Sequence, residues 1–258
     1  MRKGKLKSTV TFIAGLFLIA FGVQALSFAK GDSLVFPGIF EILKSFFQLL
    51  SIPRTYQLIL TTLTHLFVSL FFSSLLGTFI GLFEGRYDFI YRLLRPLMTL
   101  LRSIPIIVLV VIIMVLTEYE KVPYIASVLV LVPLISEATS EGLRRIRKEQ
   151  SELIEAYRLF SSFSPRILVS VYIPLMAGYL RQAYTNAVGM GIKIIVTTEY
   201  LVQTKNSLGK AVNTSIYFNE YSEIYAWALI MILLVLLTTE IPRLVKIAVD
   251  KVIRHATR

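Results

Sequence analysis

The chain has 258 residues, of which 55% are hydrophobic and 17% are charged, and its mean hydropathy is +0.71. This composition is too apolar for an ordinary soluble domain of this length and predicts an integral membrane protein. The net charge of +11 does not indicate nucleic-acid binding, because the basic residues are dispersed beside the apolar segments. The absence of cysteine excludes disulfides, thiolate metal sites and cysteine nucleophiles.

The apolar segments are long enough to cross a bilayer, which takes about 18 to 20 residues of helix. They lack the alternation typical of membrane β-strands, so we predict an all-α, polytopic protein with a single transmembrane domain over residues 1–258. Six spans are expected, at residues 8–28, 55–83, 98–117 with a bend at Pro105, 122–138, 175–202 and 224–243. The first could instead be a cleaved signal peptide, although its apolar run is longer than the roughly 7 to 15 residues typical of one.

The Lys and Arg residues predict the orientation of these spans. Most of the 27 lie at the amino terminus, after the second and fourth predicted spans, and after the last span. Because positively charged segments are retained in the cytoplasm, we expect both termini to be cytoplasmic.

The second predicted span has two features of helix packing. Gly77, Gly81 and Gly85 repeat at four-residue spacing, which allows another helix to approach closely. His65 in the same span is more often a packed or interhelical hydrogen-bonded residue than part of a proton relay. Before this span, residues 36–50 place apolar side chains at helical spacing, which suits either an interfacial helix or a helix packed on the bundle.

The sequence contains no recognisable catalytic or metal-binding motif. It has no GxxxxGK motif, so the chain itself is not expected to bind ATP through a P-loop. His65 and His255 are the only histidines, and no HExxH motif or acidic cluster accompanies them. We therefore expect neither catalytic nor metal-binding residues, which argues against a membrane enzyme.

Residues 142–174, between the fourth and fifth predicted spans, form a cytoplasmic segment that is too charged at its start to lie in lipid. We predict two short helices in it. The first is capped by Ser151, and its apolar face, spaced i, i+3, i+4 and i+7, is formed by Leu153, Ala156, Tyr157 and Phe160. Residues 161–164 end this helix, Pro165 starts the second, and Pro174 marks a break where the next span can start.

The same segment resembles the EAA loop of binding-protein-dependent ABC importer permeases. That motif runs Glu-Ala-Ala, three residues, Gly, nine residues, Ile, one residue, Leu-Pro. Here Glu155-Ala156-Tyr157 stands at the opening triplet and Ser161 stands at the glycine. Val171 stands at the isoleucine and Ile173-Pro174 at the end, and the spacing of the motif is kept throughout. Tyr157 and Ser161 depart from the motif and suggest a partner subunit with a cavity for the tyrosine.

Flanking residues extend the likeness over residues 52–245, to the nitrate/sulfonate/taurine-type branch of that family. They are the segments 77–86 and 95–105, with Pro133, Arg181, Thr198-Glu199-Tyr200 and Leu208-Gly209. The resemblance implies a type I ABC importer permease fold. It suggests small anions, sulfonates or small organic molecules such as vitamin precursors as solutes, and the Tyr- and Phe-rich spans would also suit an aromatic solute.

The resemblance also implies an assembly. The chain would be a permease subunit in the inner or plasma membrane of a prokaryote, passing a small solute delivered by an extracytoplasmic solute-binding protein. It would pair with a second permease copy, most simply as a homodimer, and with two ABC ATPase subunits that hold the ATP, so no cofactor is expected in this chain. The residues implied to couple it to the ATPase are Glu155, Ala156, Tyr157, Phe160, Ser161 and Pro174.

Three charged residues in the predicted spans are candidates for a pathway or gate. Arg181 lies about 10 Å past Pro174 along a helix, in the cytoplasmic third of the bilayer, where a charge must be paired or hydrated. Glu137 is a possible partner at a compatible depth. The sequence leaves two interpretations of Arg181 open: a gate or anion contact, and a structural ion pair. The same two interpretations apply to Glu199 near the outer end.

A channel or an ion-coupled secondary transporter is the alternative function. Such proteins show inverted repeats or helices broken at mid-membrane, and the sequence has no convincing internal repeat. An importer permease should copurify with an ATPase subunit, whereas a channel or secondary transporter should not.

Overall fold

The computed structural model describes residues 35–149 and 172–256, together with scattered positions between residues 15 and 29. All regular elements in this part of the chain are helices, which confirms the all-α prediction. They are α1 (Ile39–Ser51), α2 (Pro53–Arg86), α3 (Asp88–Ser103), α4 (Ile106–Leu116), a 3₁₀ turn (Tyr119–Lys121), α5 (Val122–Glu149), α6 (Ile173–Val202), α7 (Leu208–Tyr217) and α8 (Tyr221–Ala256). Most of the first predicted span lies outside the described residues.

Helices α2, α5 and α6 form the centre of the bundle. The contact between α2 and α5 is the most extensive one among the described helices, and that between α5 and α6 is the next. The core that they share contains the fully buried side chains of Leu66, Leu131, Ile135 and Ile195. Because lipid is as apolar as these side chains, close packing rather than exclusion of water holds such helices together.

The glycine repeat of α2 lies at its contact with α5, as its spacing predicts. Gly77, Gly81 and Gly85 all face α5. A Cβ atom built on Gly81 would lie 2.5 Å from the backbone oxygen of Ser136, and one built on Gly85 would lie 2.9 Å from Cβ of Leu143. The two helices therefore approach so closely that only glycine fits.

Helices α2 and α6 run antiparallel. Near the start of α2, Thr62 Oγ1 donates a hydrogen bond of 2.9 Å to Oε2 of Glu199, and further along the hydroxyls of Thr78 and Tyr184 lie 2.8 Å apart. The end of the bundle where α2 begins and α6 ends is named the Glu199 end. The opposite end, where α2 ends and α6 begins, is named the Glu84 end.

Helix α1 packs on α8 by one face. Its Leu49 is buried in a cluster that includes Trp227 of α8. On the other face Phe40 is 80% exposed and Phe47 is 63% exposed. The helix predicted over residues 36–50 is thus a packed helix that also presents an apolar face to its surroundings.

The described helices account for part of the predicted spans. Three segments are long and apolar enough to cross a membrane, namely Pro53–Arg86, Tyr119–Ile146 and Tyr221–Thr239. Helix α6 has 30 residues and is about 45 Å long at 1.5 Å per residue, so it also has the length to cross although it carries Arg181 and Lys193.

The third predicted span is a pair of helices. Helices α3 and α4 are bent by 101° at the break that contains Pro105, and only taken together do they pass as a span. Proline lacks a backbone N–H and disfavours helical geometry in the residue before it, which explains the break. The predicted bend is confirmed, but α4 alone, with 11 residues, is too short to cross.

Replacing Gly81 by alanine should destabilise the bundle, since the new methyl group would meet the Ser136 backbone, which cannot rotate away. Overpacking of this kind costs about 1 to 3 kcal/mol, so we expect a lower thermal unfolding midpoint for Gly81→Ala in detergent. Gly178→Ala is the matched control, because a Cβ atom at Gly178 meets nothing within 4 Å. Equal unfolding midpoints for the two variants would contradict the close contact between α2 and α5.

Candidate functional site

The predicted coupling segment is described only at its two ends. Helix α5 runs to Glu149, and α6 begins at Ile173 with Pro174 in its first turn, where the missing N–H of proline breaks no helical hydrogen bond. The predicted coupling residues that lie outside the described part of the chain are Glu155, Ala156, Tyr157, Phe160 and Ser161.

Both ends of this segment emerge from one packed cluster at the Glu84 end. Leu143 and Ile146 of α5 are buried there against Tyr172 and Met176 at the start of α6. Leu82 of α2 packs against the same cluster. A force applied to the segment would therefore act on α2, α5 and α6 together.

A buried carboxylate lies close to this cluster. Glu84 is 4% exposed, and Ser136 Oγ donates a hydrogen bond of 2.6 Å to its Oε2 atom. Arg144 Nη2 donates to the backbone oxygen of Glu84 at 2.9 Å and pairs with Asp88 at 3.1 Å, which links α2, α5 and α3. Our reading of the sequence did not single out Glu84, although its position within the glycine repeat of α2 was a signal.

The possible pair between Arg181 and Glu137 is not present among the described residues. The structure pairs Glu137 with Arg102 of α3, and both side chains are about half exposed. The bend at Pro105 brings the end of α3 against α5, and this placement depends on an angle that sequence patterns do not give. Arg181 has no ion-pair partner among the described residues.

Glu199 is fully buried at the other end of the bundle. Its carboxylate accepts hydrogen bonds from Thr62 Oγ1 at 2.9 Å and from the backbone N of Gly209 at 3.1 Å. His65 Nδ1 lies 2.6 Å from the other carboxylate oxygen, and the His65 ring contacts the ring of Tyr124 edge-on. The interhelical hydrogen bond expected of His65 is present, and Glu199 joins α2, α6 and α7 instead of facing an open surface in this conformation.

Helix α6 presents a polar face to the outside of the bundle. Arranged at 100° per residue, the exposed polar side chains lie within an arc of about 140°. Ala183 and Ala187 are buried on the opposite side. The exposed residues of the polar face are Arg181, Gln182, Thr185, Asn186 and Lys193. Of these, sequence analysis singled out only Arg181. The spacing of the other four, which places them on one face of a helix, was a signal that could have been recognised.

A groove lies beside Arg181, between α6 and α8. Its volume is about 480 Å³, and its walls are mainly apolar. The hydroxyl-bearing side chains that line it are Tyr184, Thr185, Thr238 and Thr239. Within the described part of the chain, the polar face of α6 and this groove form the candidate solute pathway.

Comparison with known families identifies the chain. The model of the family described as binding-protein-dependent transport system inner membrane component matches residues 73–254, more than half of the sequence. The chain belongs to this family. It is therefore an integral inner-membrane component of a binding-protein-dependent transport system.

The fold is similar to that of a solved transporter. A chain of the MetNI methionine ABC transporter, from a crystal form with inward-facing conformations, superposes with a TM-score of 0.62 at 22% sequence identity. The alignment covers 80% of this chain and 99% of that one. This likeness confirms the permease fold expected from the sequence. Among curated proteins, none matches the chain in sequence.

Glu199 should be required for stability. Glu199→Ala would leave Thr62, His65 and the Gly209 amide without their acceptor, and each unsatisfied buried polar group costs about 1 to 3 kcal/mol. We expect a clearly lower thermal unfolding midpoint in detergent. Glu118→Ala is the control, because Glu118 is exposed and forms only a surface ion pair. A Glu199→Ala midpoint as high as that of the control would refute the role assigned to Glu199.

Proposed function

We propose that the chain is the permease subunit of an ATP-driven importer, and that it passes a small solute delivered by an extracytoplasmic solute-binding protein. The match of residues 73–254 to an inner membrane component of binding-protein-dependent transport carries this proposal. The polar face of α6 supports it, since a helix that crosses a membrane needs such a face only where it meets water, a solute or another polar surface.

The proposed assembly contains two copies of this chain and two ABC ATPase subunits, which hold the ATP. Two copies of the chain match two ATPase subunits with two nucleotide sites, since each copy supplies one coupling segment. Both termini and the Glu84 end would face the cytoplasm, because basic residues are concentrated there and positive segments are retained. The basic residues of this end in the described helices include Arg86, Arg92, Arg95 and Arg144.

The segment of residues 142–174 would dock on the ATPase. Ala156, Tyr157 and Phe160 share its predicted apolar face, which has to pack on a partner to leave water. Glu155 would lie at the edge of the contact and Ser161 at the turn after it. The cluster that holds both ends of the segment against α2 supports the transmission of ATPase movement to the bundle.

The Ala156→Asp variant should prevent ATPase capture. A carboxylate in the contact would be buried without a partner at a cost of several kcal/mol, enough to weaken association by orders of magnitude. Pull-down of the ATPase with tagged permease measures this, and Tyr157→Ala should weaken capture through the loss of a large apolar side chain. Arg158→Ala, on the predicted solvated side, is the control. Normal capture and uptake with Ala156→Asp would show that the segment is not the coupling segment.

A channel or ion-coupled secondary transporter is the alternative function. The break at Pro105 is a feature that such proteins share, because they use broken helices in the membrane. Solute uptake by the purified chain alone, without any ATPase in the membrane, would support this alternative and exclude the importer.

A further inference from the structure

Lys193 is a charge without a counter-charge at its depth in the bundle. It is exposed on the polar face of α6 and forms no ion pair among the described residues. The apolar parts of the long helices and of α4 contain no Asp or Glu. These parts are residues 53–83, 106–117, 122–136, 173–198 and 224–239. The predicted first span, residues 8–28, contains none either.

The nearest carboxylate along the helix is already engaged. Glu199 lies six residues after Lys193, but it is fully buried and bound by Thr62, His65 and Gly209. A second copy of the chain has the same sequence and so adds another Lys193 without adding a free carboxylate at this depth. Within the described residues, neither the chain nor a second copy therefore supplies a free carboxylate from these segments to neutralise Lys193.

Lys193 is also poorly placed to reach the membrane surface. It lies nine residues before the end of α6 at Val202, which is about 14 Å along the axis. Side chains on a helix lean towards its amino terminus, so Lys193 points away from the nearer end and towards the bilayer centre. Arg181, in contrast, leans towards the nearer Glu84 end and can extend its charge to the surface.

We propose that Lys193 binds the solute in the pathway and that the transported solute carries a negative charge, such as a carboxylate, sulfonate or phosphate group. An unpaired charge inside a membrane is costly and points to a water-filled or ligand-binding site. Gln182 and Asn186, which contact each other at 3.1 Å, lie on the same face about 10 to 16 Å from Lys193 along the helix axis, so they line the same pathway nearer the Glu84 end. This proposal rests on the proposed importer function.

The test measures the charge preference of the pathway with two defined reagents. The chain has no cysteine, so Asn186→Cys introduces a single thiol two helical turns, about 10 Å, from Lys193. Its reaction rates are measured with anionic 2-sulfonatoethyl methanethiosulfonate and with cationic 2-(trimethylammonium)ethyl methanethiosulfonate, on the permease in phosphatidylcholine vesicles. The anionic-to-cationic rate ratio is then compared with that of Asn186→Cys carrying Lys193→Gln.

We expect Lys193→Gln to lower this ratio by about tenfold, because removal of the positive charge slows the reaction of the anionic reagent and speeds that of the cationic one. Lys193→Arg should keep the ratio, and so should Lys44→Gln, which removes an exposed charge from α1. An unchanged ratio in Lys193→Gln would overturn the proposal, as would a thiol that reacts with neither reagent. Anionic lipid lowers the ratio through its surface potential in both variants, so a larger fall with Lys193 present than with Lys193→Gln would assign the counter-charge to a lipid headgroup and overturn the proposal too.

Failure here is distinct from failure of the importer function. ATPase capture is measured separately and does not depend on Lys193. A chain that captures the ATPase but shows no charge preference is an importer whose solute is not selected by Lys193.

Discussion

The cost of charge inside a membrane organises this structure. Each carboxylate in the interior of the described bundle has donors close by: Ser136 for Glu84 at one end, and Thr62, His65 and an amide for Glu199 at the other. These bonds join helices that are far apart in sequence. On the polar face of α6, Arg181 and Lys193 have no ion-pair partner within the described residues, so this face is the part of the bundle that needs water, a solute or a second copy.

Close packing turns these local contacts into one mechanical unit. Helix α2 has 34 residues and lies in contact with α5 through its glycine repeat. One end of α2 packs on the cluster from which the predicted coupling segment emerges, and the other end binds Glu199 and the start of α7. A packed helix that bonds at both ends moves as a rigid body, which suits the transmission of movement between the two sides of a membrane.

Local patterns of the sequence predicted what depends on local chemistry. Continuous apolar runs predicted the helices, the glycine spacing predicted a close helix contact although not that its partner is α5, and Pro105 predicted the break. The partners of charged residues could not be predicted: Glu199 and Thr62 are 137 residues apart, and Glu137 meets Arg102 only because of a 101° bend. The EAA-like spacing predicted the family, which the match to residues 73–254 confirms, while the coupling residues themselves stay a prediction.

If α6 lines the solute pathway, its polar face borders a water-filled path through the membrane. The most direct measurement is the reaction of single cysteines with a water-soluble maleimide in reconstituted vesicles, which has no background because the chain lacks cysteine. Gln182→Cys and Thr185→Cys on the polar face should react, whereas Ala183→Cys and Ala187→Cys on the buried face should not. Equal reactivity of the two faces, or none on the polar face, would show that the polar face of α6 does not border such a path.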